Sequence, residues 1–272
     1  MKITVAITNH NQDHLLPKTI YMLNEQVDVP DKIYVLTDGR EFNNIYKNVE
    51  NIDNRKNPGR CTNRNSIIPV FLNNETDALI FIDGDSWPSS KKYITKYKKL
   101  LVKYDLVFGT RRHTSVNDIK VPASDLLTAN MDELWQGKEL NYDDLRVTSG
   151  AVKAWNNTKS FYEKVDLMLT GMIGWSCNFG ITKPGLLKHL EFMKRKYNLE
   201  NALFDSKAFS KGWGYEDVAM GIDAIYAGLE VGISEDIEII HQAHERTDGL
   251  FDHIKGCHII MERYRNLEQL RL

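Results

Sequence analysis

The sequence predicts an α/β domain with helices on both faces of its sheet. Three observations lead there. Strand-length apolar runs alternate with amphipathic segments, one run lacks any polar face, and the first runs end in polar or acidic clusters. Residues 3–8 (Ile-Thr-Val-Ala-Ile-Thr) are β-branched and end at Asn9-His10-Asn11, which predicts a first strand. Residues 13–26 carry Leu15, Leu16, Ile20 and Leu23 at helical spacing, with Pro17 in the first turns, where proline is tolerated. A second strand is expected over 32–37, closed by Asp38-Gly39. Asn57-Pro58-Gly59 breaks the chain and 63–72 has helical character. The run 78–82 is apolar throughout, as in strands buried on both sides, and Asp83-Gly84-Asp85 closes it. A helix over 91–104 and a strand over 106–109 follow. The stretch 117–163 is polar and poorly periodic and is assigned no element. Beyond it a strand is expected over 179–182, helices over 184–197 and 217–227, short strands over 231–233 and 237–240, and a packed helix over 251–272.

Composition narrows the class. The chain has 272 residues, 42% apolar and 26% charged, the profile of a soluble globular domain rather than a collagen, coiled coil or disordered chain. Lys and Arg number 35 against 37 Asp and Glu, a net charge of −2, which speaks against a protein that coats a polyanion. Cys61, Cys177 and Cys257 are too few and too scattered for a disulfide framework, so reduced thiols and a cytoplasmic location are expected. The N-terminus lacks the charged-then-apolar pattern of a signal peptide. The longest uncharged stretch, 167–182, contains Thr, Ser, Asn and glycines, so no transmembrane segment is expected. No internal repeat or low-complexity linker divides the chain, and a single domain is the simplest organisation.

In wound α/β sheets, ligands bind outside the carboxyl ends of the strands. Thr8-Asn9, Asp38-Gly39 and Asp83-Gly84-Asp85 all fall there. Two carboxylates that close repel each other unless a cation lies between them, and Mg²⁺ or Mn²⁺ would suit, leaving positions for a substrate's phosphates. Gly84 permits a sharp turn. The plain alternative is a solvated acidic turn. In Gly212-Trp213-Gly214-Tyr215-Glu216-Asp217, two acids open a helix beside an aromatic loop, an arrangement for gripping a sugar and deprotonating a hydroxyl, or simply a capped helix N-terminus. The run 237–245 delivers His241 and His244 into a loop, and an imidazole beside carboxylates suits Mn²⁺. A zinc site from His241, His244, His253 and Cys257 or His258 matches no zinc spacing, and His-x-x-His-Glu is not the metalloprotease order. Arg60 and Arg64, four apart on a forming helix, suit phosphate or a pyrimidine edge, or surface ion pairs. Lysines at 91, 92, 96, 98, 99 and 103 form a solvated helix face, or else a phosphate-contacting patch for nucleic acid or a membrane surface.

Together these elements resemble the GT-A fold of nucleotide-sugar-dependent glycosyltransferases, a Rossmann-like mixed sheet in one domain, over most of the chain from Ile3 to about His244. Gly59, Arg64-Asn65 and Ile67 resemble a Gly-x-x-x-Ala-Arg-Asn segment, with Asn63 in place of Ala. Asp83-Gly84-Asp85 matches the D-x-D of the fold. Residues 212–217 are similar to the Gly-Trp-Gly-Gly-Glu-Asp of β-1,4-galactosyltransferases and of the C-terminal half of polypeptide N-acetylgalactosaminyltransferases, although Tyr215 replaces a glycine and no acidic run follows Asp217.

The resemblance implies a nucleotide-sugar-binding half over 1–110 and an acceptor-binding, catalytic half over 111–272. Thr8, Asn9 and Asp38 would hold the nucleoside, with Arg64 and Arg60 on base or diphosphate and Gly84 close to the donor. Asp85 and Asp83 would bind Mn²⁺ or Mg²⁺ together with His241, or His244 in its place, Asp83 also reaching the ribose or a metal-bound water. Asp217 would be the general base, Glu216 an acceptor ligand and Trp213 a stacking platform. The implied reaction moves a sugar from a nucleoside-diphosphate sugar, a UDP-sugar above all, to an acceptor hydroxyl with inversion. The acceptor would be a saccharide or a modified base in nucleic acid. A retaining transferase, a nucleotidyltransferase making a nucleotide sugar, and a non-catalytic binding module are the alternatives. Of these the nucleotidyltransferase normally has a glycine-rich basic loop after the first strand, where this chain has Thr8-Asn9-His10-Asn11.

Overall fold

The computed structural model describes residues 1–10, 13–38, 46, 48–54, 59–113, 146–169, 173–210, 214–241 and 250–264. One mixed sheet of eight strands organises them: β1 (Ile3–Asn9), β2 (Lys32–Thr37), β3 (Val49–Asp53), β4 (Ala78–Asp83), β5 (Ser86–Pro88), β6 (Leu106–His113), β7 (Asn178–Thr182) and β8 (Val231–His241), in the spatial order β3-β2-β1-β4-β7-β6-β8-β5. The first four of that order run parallel. β7 is antiparallel to both β4 and β6, and β8 returns parallel to β6. The carboxyl ends of β1, β2, β4, β6 and β8 therefore share one rim.

Helices cover both faces. On one, α1 (Leu16–Asn24) and α4 (Tyr93–Leu100) pack Leu16, Ile20, Tyr93 and Tyr97 onto Ile3, Val5, Ile80 and Val107. On the other lie α2 (Arg60–Asn65), α3 (Ile67–Asn73), α5 (Arg146–Asn157), α6 (Phe161–Leu169), α7 (Lys183–Tyr197), α8 (Glu216–Tyr226) and α9 (Leu250–Tyr264). There Phe81, Phe108 and Phe179 meet Phe71, Met168, Leu186 and Ile222. Adjacent strand residues point to opposite faces, so the unbroken apolar run of β4 feeds both cores at once.

Several expected elements differ from the observed ones for identifiable reasons. The single helix expected over 63–72 is two, because Pro69 has no N–H for the carbonyl four residues back and Ser66 instead donates its hydroxyl to the Asn63 carbonyl at 2.7 Å. The two strands expected over 231–240 are one, irregular where Ser234 and Glu238 face the consecutive residues Gly109 and Thr110. Asn178 holds that bulge. Its Nδ2 donates to the Thr110 carbonyl at 2.7 Å and the Ile237 carbonyl at 3.1 Å, and its Oδ1 accepts the Tyr93 and Tyr97 hydroxyls at 2.8 Å each. A Cβ at Gly109 would lie 2.2 Å from Asn178 Nδ2, so only glycine fits. The strands β3 and β5, too short or too polar for the pattern, were not expected. α5 and the start of α6 fall inside the stretch that received no assignment. Residues 265–272 of the expected C-terminal helix lie outside the described residues. Among the described residues, no helix is long and apolar enough to cross a membrane.

Candidate active site

The rim is built from strand ends. Thr8 and Asp83 face each other across β1 and β4, and the Thr8 hydroxyl donates to Asp83 Oδ1 at 2.5 Å. Gly84 turns the chain back over β1, its N–H bonded to the Thr8 carbonyl at 2.8 Å, and an added Cβ would crowd Asn9 Oδ1 at 3.1 Å. The Thr19 hydroxyl lies 3.0 Å from the Gly84 carbonyl and 2.7 Å from that of Ser86, clamping the turn from α1. Asn9 is buried; its Nδ2 donates to Asp13 at 2.7 Å, while its Oδ1 has no hydrogen-bond partner among the described residues. Asp38, also buried, takes His10 Nδ1 at 2.7 Å.

Beyond the turn, β5 pairs with β8 so that Ser86 lies opposite His241. That register brings Asp85 Oδ2 within 3.6 Å of His241 Nε2, with both side chains largely shielded at 9% and 17% exposure. At this separation a single cation can touch both atoms, and a carboxylate oxygen with an imidazole nitrogen is a donor set that accepts Mn²⁺ or Mg²⁺. Among the described residues no group of three acidic, His or Cys side chains converges into a complete cation cage. A cation here would draw its remaining ligands from a bound substrate or water.

Arg64 is the hinge between the two sides of the site. It is 2% exposed, and its Nη2 reaches Asp83 Oδ1 while its Nη1 reaches Glu216 Oε1, each at 3.2 Å. Arg60, more exposed, approaches the same Glu216 oxygen at 3.9 Å. Both carboxylates raise the Arg64 pKa against the desolvation of its burial, so it stays charged. A buried charge is tolerated when it is paired, and here one cation serves two acids. Next along α8, Asp217 accepts the Ser176 N–H at 3.3 Å and its neighbour Val218's N–H at 2.9 Å. Burial, then the adjacent Glu216, push its carboxyl above the ordinary range, and Arg64 opposes them. Trp213 and His244 lie outside the described residues.

Sequence reasoning missed a third side. Arg111, at the end of β6, lays its guanidinium 4.2 Å over the Trp175 ring and points Nη1 at Cys177 Sγ, 3.9 Å away. Arg111 makes no ion pair among the described residues, and its Nε has no hydrogen-bond partner there. Burial pushes the Cys177 thiol up to about 12, so it is an uncharged wall rather than a nucleophile. The strand-end rule that singled out Asp83 would have flagged Arg111 had the strand been extended past Gly109. Trp175 carried no signal, since an isolated Trp in an apolar stretch reads as core.

The rim, the acidic turn and the helix-borne acids belong to a recognisable fold. No protein-family model matches the chain, and no curated protein matches it in sequence. Solved structures match in fold. TarS from S. aureus in complex with UDP superposes with a TM-score of 0.57 at 14% identity, over 98% of this chain and 66% of that one. TarS in complex with UDP-GlcNAc gives 0.54 at 14% identity, over 91% and 60%. The mannosyltransferase PcManGT from Pyrobaculum calidifontis, in complex with GDP-Man and Mn²⁺, gives 0.56 at 10% identity, over 98% and 64%. The chain thus covers 60–66% of these solved chains, and 37% of the longer TarS chain. The α/β class expected from the sequence is the observed one: a single mixed domain on a sheet shared with glycosyltransferase structures.

Proposed function

We propose that this chain is a divalent-metal-dependent glycosyltransferase that moves a sugar from a nucleoside-diphosphate sugar, a UDP-sugar first, to an acceptor hydroxyl. The observation that carries the reading is the meeting of Asp85 and His241 at the carboxyl rim, with Arg64 joining Asp83 of that rim to Glu216 beside Asp217. Nucleotide-sugar complexes of the matching fold support it. Residues 1–110 supply most of the donor side and 111–272 the acceptor side, with His241 crossing back to the donor.

Thr8, Asn9 and Asp38 line the nucleoside end, Asn9 offering its spare Oδ1. Asp85 and His241 would hold Mn²⁺ or Mg²⁺, which supplies positive charge for the departing diphosphate. Arg111 adds a fixed cation on the β6 side. Arg64 holds Asp83 and Glu216 in place, and Arg60 supports Glu216. Asp217 removes the proton from the acceptor hydroxyl as that oxygen attacks the anomeric carbon. Attack in line with the leaving diphosphate inverts the configuration. A carboxyl pulled above the usual Asp range is a stronger base once ionised, which suits this task. Glu216 serves the acceptor, a saccharide in this reading, and Trp213 stacks on the sugar face of the donor.

A donor screen tests the proposal. Purified protein is mixed with several nucleotide sugars plus Mn²⁺, Mg²⁺ or a chelator, and release of nucleoside diphosphate is followed. Metal-dependent release with one donor is expected. Release that a chelator leaves unchanged would reject the metal role, and no release with any donor and simple saccharide acceptors would reject the reading.

A further inference from the structure

α9 packs onto α8 unusually closely at one point. An added Cβ on Gly256 would lie 2.6 Å from the Gly214 carbonyl oxygen and 3.0 Å from the Tyr215 ring. Gly214 and Tyr215 are the turn that starts α8, both at positive φ (97° and 70°). Tyr215 is the N-cap of α8 and Asp217 is its second residue. One turn further along, the Tyr264 hydroxyl of α9 shares its proton between the Ala219 carbonyl at 3.1 Å and Asp223 Oδ1 at 3.0 Å, and the Ala219 N–H donates to the Tyr215 carbonyl at 2.9 Å. The Tyr215 phenol also meets Cys257, the neighbour of Gly256. A glycine inside a helix costs stability relative to alanine. Its presence here is explained by backbone contact rather than by helix formation.

We propose that Gly256 is a positioning residue for Asp217: its missing side chain lets α9 press on the Gly214-Tyr215 turn and set where α8 begins. The inference rests on Asp217 acting as the base. Asp217 sits two residues after the strained cap, so a shift of the turn moves its carboxylate directly. Small displacements of a proton acceptor are costly to rate while leaving distant binding groups in place. The donor side, on β1, β4 and β5, meets this turn through the Glu216–Arg64 pair, whose 3.2 Å contact can lengthen without releasing Asp83.

Gly256→Ala separates the positioning role from a merely structural one. Helix propensity alone would make α9 firmer and leave turnover intact. The expected result is the opposite: kcat at least tenfold lower, Mn²⁺-dependent affinity for UDP within twofold of the parent, and faster hydrogen exchange at the Ala219 amide with the β1 and β4 amides unchanged. Unchanged kcat or unchanged Ala219 exchange would overturn the proposal. Should Asp217→Asn turn over normally, the base assignment fails instead, and Ala219 exchange still decides the contact. A second measurement needs no variant. In the parent chain, the amides of 216–219 and 256–264 should lose protection together as denaturant rises; independent opening would overturn the clasp.

Discussion

Two buried arginines, each bridging two carboxylates, show what separates a structural cluster from a candidate working one. Both act on α8. Arg263 of α9 grips Asp223 near its C-terminal end, and Arg64 of α2 grips Glu216 at its start. Arg263 has all three nitrogens engaged: Nη1 and Nη2 reach Asp205 and Asp223 at 2.5 Å each, Nε donates to the Tyr197 hydroxyl at 3.1 Å, and the guanidinium stacks 3.7 Å over the Tyr197 ring. The Tyr197 and Tyr264 hydroxyls close the remaining Asp223 oxygen at 2.8 and 3.0 Å. Arg64 has longer bonds of 3.2 Å, an Nε without a partner among the described residues, and an Asp83 that keeps 24% of its side chain exposed. A closed network locks elements together. An open one retains bonding capacity and can adjust when a charged ligand arrives.

The largest expected effect lies at the open cluster. Asp217→Asn should cut turnover by ~10²–10⁴ while nucleotide affinity holds, as read by steady-state kinetics and by titration with UDP and Mn²⁺. Normal turnover would remove the base. Next come the arginines themselves. Arg263→Met strands two buried carboxylates and should cost about 3–5 kcal/mol of unfolding free energy in denaturant melts, with nucleotide affinity retained in the folded fraction. Arg64→Met should lose both stability and nucleotide affinity; retained affinity would make the two clusters equivalent and sink the distinction.

Asp85→Ala should remove the Mn²⁺ enhancement of UDP binding and leave the melting temperature within a few degrees of the parent. An unaltered Mn²⁺ effect would take Asp85 out of the metal site.

The pH dependence of stability sharpens the comparison at the smallest scale. The native Asp217 carboxyl titrates above its ordinary value because of burial and Glu216. The folded state therefore holds that proton more tightly than the unfolded state, and stability falls as pH rises through the window between the two values. Asp217→Asn should thus melt at or above the parent's temperature at pH 7, the difference vanishing below about pH 4, where both states are protonated. His189, fully buried with Nε2 bonded to the Leu203 carbonyl at 3.1 Å, carries the opposite sign. Burial lowers it to about 4, so its contribution is complete above the ordinary value of 6.5 and is lost as pH falls toward 4. His189→Gln should flatten that part of the melting-temperature profile; an unchanged slope would clear the histidine.

Much of the frame was legible. An apolar run such as 78–82 has one stable home, a strand covered on both faces, and an acidic turn after it must lie at the rim. The helix opening at Glu216-Asp217 was legible from acids followed by an apolar periodic stretch. The partners of Arg64 were not. Its side chain is held between Asp83, 19 residues on, and Glu216, 152 residues on, and neither partner is written in the segment around it. β5 escaped notice because Ser-Trp-Pro has no period to read, yet it sets the Asp85–His241 distance. Arg111 and Trp175 escaped because each looks ordinary in its own segment.

Composition and local pattern by themselves settled the α/β class, the strands that end at the rim and the acids that open α8. These follow from side-chain periodicity and from where a charged group is stable along one element. Only tertiary structure decided which of those groups meet. Pairings such as Asp85 with His241, Arg64 with Glu216 and Gly256 with Gly214 depend on strand register, on a bulge held by Asn178 and on backbone contact between helices. All of these join residues far apart in the chain, and no local window of sequence records the distance between them.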